Sequence, residues 1–165
     1  MALQSYDLGI SNTNIATSDN GSTPQAYGSL AVTGTQSRTI TSIDYFVSTA
    51  ATGTGVVQVG IYSPVSNTQS TRISASDVRA TAPPLSINVM DLTTPAVLQP
   101  NTLYYLVVYF TFASMQIVGF NRSINQGVTT HIPISFRHTN TTFTQLPPSF
   151  TAMEFFSKTS WLAAI

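Results

Sequence analysis

The stretch Leu103-Tyr104-Tyr105-Leu106-Val107-Val108-Tyr109-Phe110-Thr111-Phe112 is apolar on both of the faces that alternate along an extended chain. A strand with one solvated face alternates apolar with polar residues, whereas a strand buried on both faces is a continuous apolar run. We therefore expect a central strand here. The run is too short to span a bilayer as a helix, which takes roughly 20 apolar residues.

The segments on either side of this run have the composition and alternation of shorter strands. Ile43, Tyr45 and Val47, for example, recur at every second position, as residues on one buried face do. Gly, Pro, Asn and Ser separate the segments. The further strands predicted in this way cover residues 27–32, 39–49, 55–62, 85–90, 115–120, 132–137 and 152–157.

This pattern predicts an all-β fold: a two-sheet antiparallel β-sandwich, jelly-roll-like, with an extended N-terminal arm. Residues 1–26 have scattered apolar positions with neither helical nor strand periodicity, so they form the arm, and residues 27–165 form the sandwich domain. The short link Ala113-Ser114 favours a hairpin between the central strand and the next one. A single helical turn is expected over Ser74–Arg79, capped by a serine.

The composition excludes several classes of function. Charged residues make up 7% of the chain, against about 25% in typical domains, and six acids balance six bases. The chain therefore has neither the basic surface that binds nucleic acid nor the basic cluster that binds anionic lipid. So few charges fit two interpretations, an ordinary polar surface or a surface adapted to a large assembly. The absence of cysteine excludes disulfides, thiolate zinc sites and cysteine nucleophiles.

Catalytic and metal-binding patterns are also missing from the sequence. His131 and His138 flank one predicted strand at an odd spacing, so they point to opposite faces of the sheet. No Gly-x-Ser-x-Gly motif is present, and the six acids form neither a spaced pair for glycoside hydrolysis nor a cluster for calcium. We expect a chain that is not an enzyme and that binds no metal and no cofactor.

The aromatic residues support two interpretations. Aromatic rings can stack on sugars, and exposed rings beside amide and hydroxyl groups form many neutral binding sites. Aromatic residues at strand spacing are more often part of the core. The candidates for a sugar platform are Tyr62, Tyr104, Tyr109, Phe143, Phe150 and Trp161.

Both ends of the chain are rich in large apolar residues. Either these ends pack within the chain's own sandwich or they contact another protein, because aromatic residues dominate protein interfaces. No basic and apolar secretory segment precedes them, so we expect synthesis in the cytoplasm. The predicted assembly contacts are Leu3, Tyr6, Leu8, Ile10, Phe155, Phe156, Trp161, Leu162 and Ile165.

Three segments between residues 38 and 112 also resemble a known group of proteins. They are Val57-Gln58-Val59-Gly60-Ile61-Tyr62, then Arg72-Ile73-Ser74-Ala75-Ser76, then Leu98-Gln99-Pro100-Asn101-Thr102-Leu103-Tyr104-Tyr105-Leu106-Val107-Val108. Together they are similar to β-sandwich domains of tailed-phage structural proteins and related bacterial surface modules. In such a domain Pro100-Asn101 makes a turn, and Tyr104 and Tyr105 then fill opposite faces of the sheet.

The resemblance implies a non-enzymatic virion protein, made in the host cytoplasm and placed on the outer surface of a phage particle. The expected role is that of a capsid cement (decoration) protein that binds between capsomers and stabilises the head. Its expected partners are further copies of itself, as a homotrimer, and the major capsid protein or another virion protein, but neither nucleic acid nor membrane. The alternative is a tail-fibre or receptor-binding module that recognises host-surface carbohydrate.

Overall fold

The structure is a computed structural model that describes residues 3–4, 12–16, 24–121, 135–139, 142–155, 158–160 and 162–165. These residues form strands and contain no helix. The strands are β1 (Leu3–Gln4), β2 (Asn12–Ala16), β3 (Gln25–Val32), β4 (Arg38–Thr49), β5 (Val57–Pro64), β6 (Ser70–Ala75), β7 (Ile87–Leu98), β8 (Leu103–Phe110), β9 (Gln116–Asn121), β10 (Ser135–Thr139), β11 (Ser149–Phe150), β12 (Glu154–Phe155), β13 (Lys158–Ser160) and β14 (Leu162–Ala164).

The strands form two antiparallel sheets of seven strands each, which pack face to face as a β-sandwich. In the first sheet, residues 43–45 of β4 pair with β14 on one side and with β7 on the other. The far end of β4 pairs with β9, which also carries β2 and β13, and β1 joins β14. The second sheet has the order β11-β6-β5-β8-β3-β10-β12. The predicted fold class is thus confirmed.

The central strand β8 is buried on both faces, as its apolar run predicts. It lies between β3 and β5 in the second sheet. Tyr104 belongs to the apolar cluster between the two sheets, together with Ile43, Tyr45 and Val47 of β4. Tyr105 belongs to a separate cluster on the outer face of the second sheet. The two neighbouring tyrosines therefore do fill opposite faces, because successive side chains of a strand alternate.

Two local predictions are wrong. The residues 113–114 do not close a hairpin, because β8 and β9 belong to different sheets and Ala113 bridges to Thr52. The expected helical turn at Ser74–Arg79 is absent, since Ser74 continues β6. Its hydroxyl donates to the carbonyl of Thr94 at 2.5 Å, so this serine bonds to a neighbouring strand and does not cap a helix.

The outer face of the second sheet is covered by residues 142–153, which we name the strap. Leu146, Phe150 and Met153 of the strap are buried against the sheet. The ring of Phe136 lies edge-on to Tyr105, with centroids 4.9 Å apart, and 5.2 Å from the ring of Phe150. Such edge-to-face pairs are favourable beyond the area that they bury. The sandwich therefore has a second, smaller core on this face.

Side chains of the second sheet hold the strap by its backbone. The amide oxygen of Gln58 accepts the N–H of Leu146 at 2.6 Å, and Nη1 of Arg72 donates to the Leu146 carbonyl at 2.6 Å. The hydroxyl of Tyr62 donates to the carbonyl of Pro147 at 2.6 Å. Buried backbone groups outside a strand ladder need partners of this kind. The strap is thus fixed by polar bonds as well as by its apolar side chains.

Two glycines make room for these covering groups. An added Cβ on Gly28 would overlap the ring of Phe136, the residue that pairs with it across β3 and β10. An added Cβ on Gly60 would lie 2.9 Å from Cδ1 of Leu146. An aromatic ring packed over a glycine in the neighbouring strand is a recognised way to stabilise a sheet. Both glycines are therefore needed for close approach.

Candidate functional site

His138, the one histidine among the described residues, is held in place by contacts within the fold. Its Nδ1 lies 2.8 Å from the carbonyl oxygen of Ala152, and its ring stacks on Phe143 with centroids 5.4 Å apart. Next to it Arg137 and Glu154 form an exposed ion pair at 3.4 Å. His131 lies outside the described residues. That the chain has no catalytic activity stays a prediction.

Within the described ranges, no three His, Asp or Glu side chains are placed together as metal ligands would be. In the same residues, no helix is long and apolar enough to cross a bilayer.

The aromatic residues considered for sugar stacking are mostly part of the core. Tyr62, Tyr104, Tyr109 and Phe150 are buried, and Phe143 is half-buried beside the outer cluster. Trp161 lies outside the described residues. Burial raises the pKa of Tyr109 to about 12 because its ionised form would lose hydration. The four buried rings therefore offer no stacking face to a sugar.

The described parts of the predicted arm are paired with the first sheet. Leu3 pairs with Ala164 in the ladder of β1 and β14, and β2 pairs with β9 along its whole length. The predicted contacts Tyr6, Leu8 and Ile10 lie outside the described residues. The start of the chain thus adds strands to the first sheet before the first strand of the predicted sandwich domain begins.

The end of the chain is paired with both sheets. Phe155 lies in β12 opposite Phe136, while Phe156 and Trp161 lie outside the described residues. Leu162 is 1% exposed in the core between the sheets, so a partner would reach it only if β14 left the sheet. Ile165 is exposed, and its backbone exchanges hydrogen bonds with Ser42 in both directions at 3.0 Å. These residues stay predicted contacts, and of Leu162 and Ile165 the latter is accessible.

An apolar surface that sequence analysis did not predict lies on the outer face of the first sheet. Ile87 and Val89 of β7 are 53% and 49% exposed, and Phe46 of β4, half-buried, stands directly opposite Ile87. These three residues form what we name the outer patch. Leu85, 59% exposed, precedes it along the chain. Single exposed aliphatic residues are ordinary, but neighbouring ones on a sheet face indicate an interaction surface.

The alternation of β7 could not show which of its faces lies inside. Ile87 and Val89 alternate with Asn88 and Met90, and the second pair is the one that is buried. The amide of Asn88 donates to the carbonyls of Pro84 and Ser86, at 3.0 and 2.9 Å, which permits its burial. The sequence did contain one indication of this patch, because the segment that forms β7 has apolar residues on both faces. In the structure this strand lies at the edge of its sheet, where one of those faces stays exposed.

A carboxylate with an unsatisfied oxygen lies beside the outer patch. Asp44 pairs with Val89 across β4 and β7, so both side chains are on the outer face. Its Oδ1 is buried and has no hydrogen-bond partner among the described residues. Burial raises the pKa of Asp44 above its ordinary value of 3.8, because the charged form is poorly hydrated there. This oxygen is therefore desolvated without a compensating hydrogen bond from the described part of the chain.

The neighbouring residue has a similar unsatisfied group on the inner face. Tyr45 is fully buried between the sheets, and its hydroxyl has no hydrogen-bond partner in the described part of the chain. Burial raises its pKa to about 12, and the charge of Arg79 opposes this effect. This hydroxyl faces the core, so it cannot take part in an interaction at the outer patch.

Comparison with protein-family models and with curated proteins gives no match for this sequence. The function is therefore inferred from the chain's own residues.

Proposed function

We propose that this chain is a non-enzymatic structural protein of a phage particle. Its role would be that of a capsid cement (decoration) protein, which binds between capsomers on the outer surface and stabilises the head. The observation that carries the proposal is the outer patch, where apolar side chains are exposed on a paired, rigid sheet. The phage context comes from the sequence resemblance.

The outer patch suits a partner that is apolar and presents a hydrogen-bond donor. Phe46, Ile87 and Val89 offer apolar area, and Asp44, half-buried beside them, adds a carboxylate. The cores of protein interfaces are depleted in charge and rich in apolar groups, which this surface matches. The expected partner is a shell protein with an aliphatic surface and a basic or amide side chain facing Asp44.

The mechanism is mechanical. One small patch binds weakly, but a homotrimer that contacts several capsid proteins at once adds its contacts through multivalency. With as many bases as acids, six of each, the chain has little long-range attraction to a charged surface. The binding should therefore change little with salt concentration.

The test uses particles of the phage that encodes this chain, grown without it. Adding the purified chain should raise the temperature at which the heads rupture. Replacing the patch aliphatics, as Ile87→Asp with Val89→Asp, should weaken binding to the heads at least about tenfold, because charges would be buried in the interface. The matched control is Val65→Asp, since Val65 is 63% exposed in the turn after β5, on the other sheet.

Two results would contradict the proposal. One is that the purified chain does not bind assembled heads, and the other is that the double variant binds them as tightly as the control does. Binding to host cells or to their surface glycans without binding to heads would instead support the receptor-binding alternative.

A further inference from the structure

A polar cavity of about 330 Å³ opens where β6 meets β7. Its lining includes Gln58, Arg72, Ser74, Asp77, Thr94 and Gln145, and none of the residues of the outer patch. The volume is at the lower end of the range for small-molecule pockets. It suits a short, compact ligand better than a large cofactor.

Two irregularities in neighbouring strands form this cavity. In β6 the register with β5 shifts between Ser74 and Arg72, which leaves Ile73 as an extra residue. In β7 the pairing with β4 jumps from Asp91 to Ala96, so the segment between them leaves the ladder. Bulges of this kind re-aim side chains and are over-represented next to functional sites. Here both bulged segments contribute to one lining.

The wall of the cavity is held firmly by hydrogen bonds. The amide of Gln58 is committed at both ends, donating to the carbonyl of Ser76 at 2.7 Å and accepting from the N–H of Leu146. The hydroxyl of Thr93 donates to the carbonyl of Ala75 at 2.8 Å, which ties β7 to β6. The cavity is thus preorganised, and a ligand would not have to order its wall.

Other polar groups at the cavity are available to a ligand. The side chains of Asp77 and Gln145 are exposed and form no hydrogen bond with any described residue. Arg72 uses Nη1 for the strap, but a guanidinium has five N–H groups, so others can donate. The charges of Arg72 and Asp77 cancel, which favours a neutral ligand over an anion or a cation. The groups left for a ligand are the carboxylate of Asp77, the amide of Gln145, the hydroxyl of Thr94 and the remaining N–H groups of Arg72.

We propose that this cavity binds a neutral saccharide. Adjacent hydroxyls of a sugar both donate and accept, which matches a carboxylate placed near amide and guanidinium donors. Without an aromatic stacking face, the affinity rests on hydrogen bonds that replace bonds to water, so the dissociation constant is expected in the millimolar range. This inference does not depend on the role proposed above, because the cavity and the outer patch share no residue.

The experiment titrates a panel of neutral hexoses, N-acetylhexosamines and their disaccharides into isotope-labelled protein, followed by NMR chemical shifts. At least one sugar should bind with shifts centred on residues 72–77, 93–94 and 145. The variants Asp77→Ala and Gln145→Ala should each weaken that binding by about tenfold while thermal unfolding stays unchanged. Asp91→Asn is the matched control, since Asp91 is an exposed acid of β7 outside the lining, and it should bind as the natural chain does.

The proposal is overturned if no sugar of the panel shifts these resonances at concentrations well above the millimolar range. It is equally overturned if a sugar binds and both cavity variants bind it as tightly as Asp91→Asn does, because the site would then lie elsewhere.

Discussion

The outer faces of the two sheets differ in how the chain treats their apolar side chains. On the second sheet, Tyr105 and Phe136 are completely buried beneath the strap. On the first sheet, Ile87 and Val89 keep about half of their surface exposed. On both sheets, side chains alternate between the two faces of each strand. Among the described residues, the difference is that a segment of the chain covers the outer face of the second sheet and none covers the outer patch.

A segment that covers a sheet face needs hydrogen-bond partners for its backbone and space for its side chains, and the second sheet provides both. Gln58, Arg72 and Tyr62 satisfy the backbone of the strap, Gly60 leaves space for its Leu146, and Gly28 leaves space for Phe136 of β10. The outer patch has apolar side chains without comparable features in the described residues. A chain that covers one apolar face and exposes another in this way is suited to presenting the exposed face to a partner.

The largest expected effect is the loss of the ring that fills the covered face. Phe136→Ala should lower the free energy of unfolding by about 3–5 kcal/mol, because it removes a buried ring and leaves a cavity above Gly28. Ile87→Ala, the counterpart on the outer patch, should change it by no more than about 0.5 kcal/mol. Urea unfolding of both variants measures the difference. Equal losses would mean that the outer patch is part of the core of the isolated chain.

A smaller effect is expected from loosening the strap. Gln58→Ala should lower the free energy of unfolding by about 1–3 kcal/mol, because the N–H of Leu146 loses its buried acceptor. Gln145→Ala is the control, since its exposed side chain bonds to no described residue, and it should be neutral. Hydrogen exchange should show faster exchange at Leu146 in the first variant alone. Unchanged exchange there would show that apolar packing alone holds the strap.

The smallest effect concerns the unsatisfied carboxylate of the exposed face. The pKa of Asp44 is raised in the folded chain, so the folded state binds its proton more tightly than the unfolded state does. Stability should therefore fall as pH rises from 3.8 through the raised pKa, and stay lower above it. Asp44→Asn should remove this fall and slightly raise the free energy of unfolding at neutral pH, a small effect because water still screens the partly exposed group. Thermal unfolding of the natural chain and of the variant across this pH range checks it, and an identical pH dependence of the two would contradict it.

Sequence periodicity predicts the strands that are buried on both faces, and those in which one face is clearly more polar than the other. The run from Leu103 to Phe110 is apolar on both faces, as expected of a central strand. Ile43, Tyr45 and Val47 alternate with Ser42, Asp44 and Ser48, with Phe46 as the exception, and the polar residues indicate which face points inward. Tyr104 and Tyr105 lie on opposite faces because neighbours in a strand always do.

The features that depend on distant partners could not be predicted. β7 has apolar residues on both faces, so its alternation does not distinguish Met90, which is inside, from Val89, which is outside. The strap has no strand periodicity, and its position depends on the bonds from Gln58 and Arg72, far away in the sequence. The link at 113–114 has the length of a hairpin, yet Ala113 bridges to Thr52 and the chain crosses to the other sheet.

The most direct measurement is residue-level covalent labelling of exposed side chains, made on the isolated chain and on the phage particle that we propose contains it. We predict that Phe46, Ile87 and Val89 react in the isolated chain and are protected in the particle, while Val65 reacts equally in both. Equal labelling of the outer patch in the two states would contradict the claim that a partner covers this face.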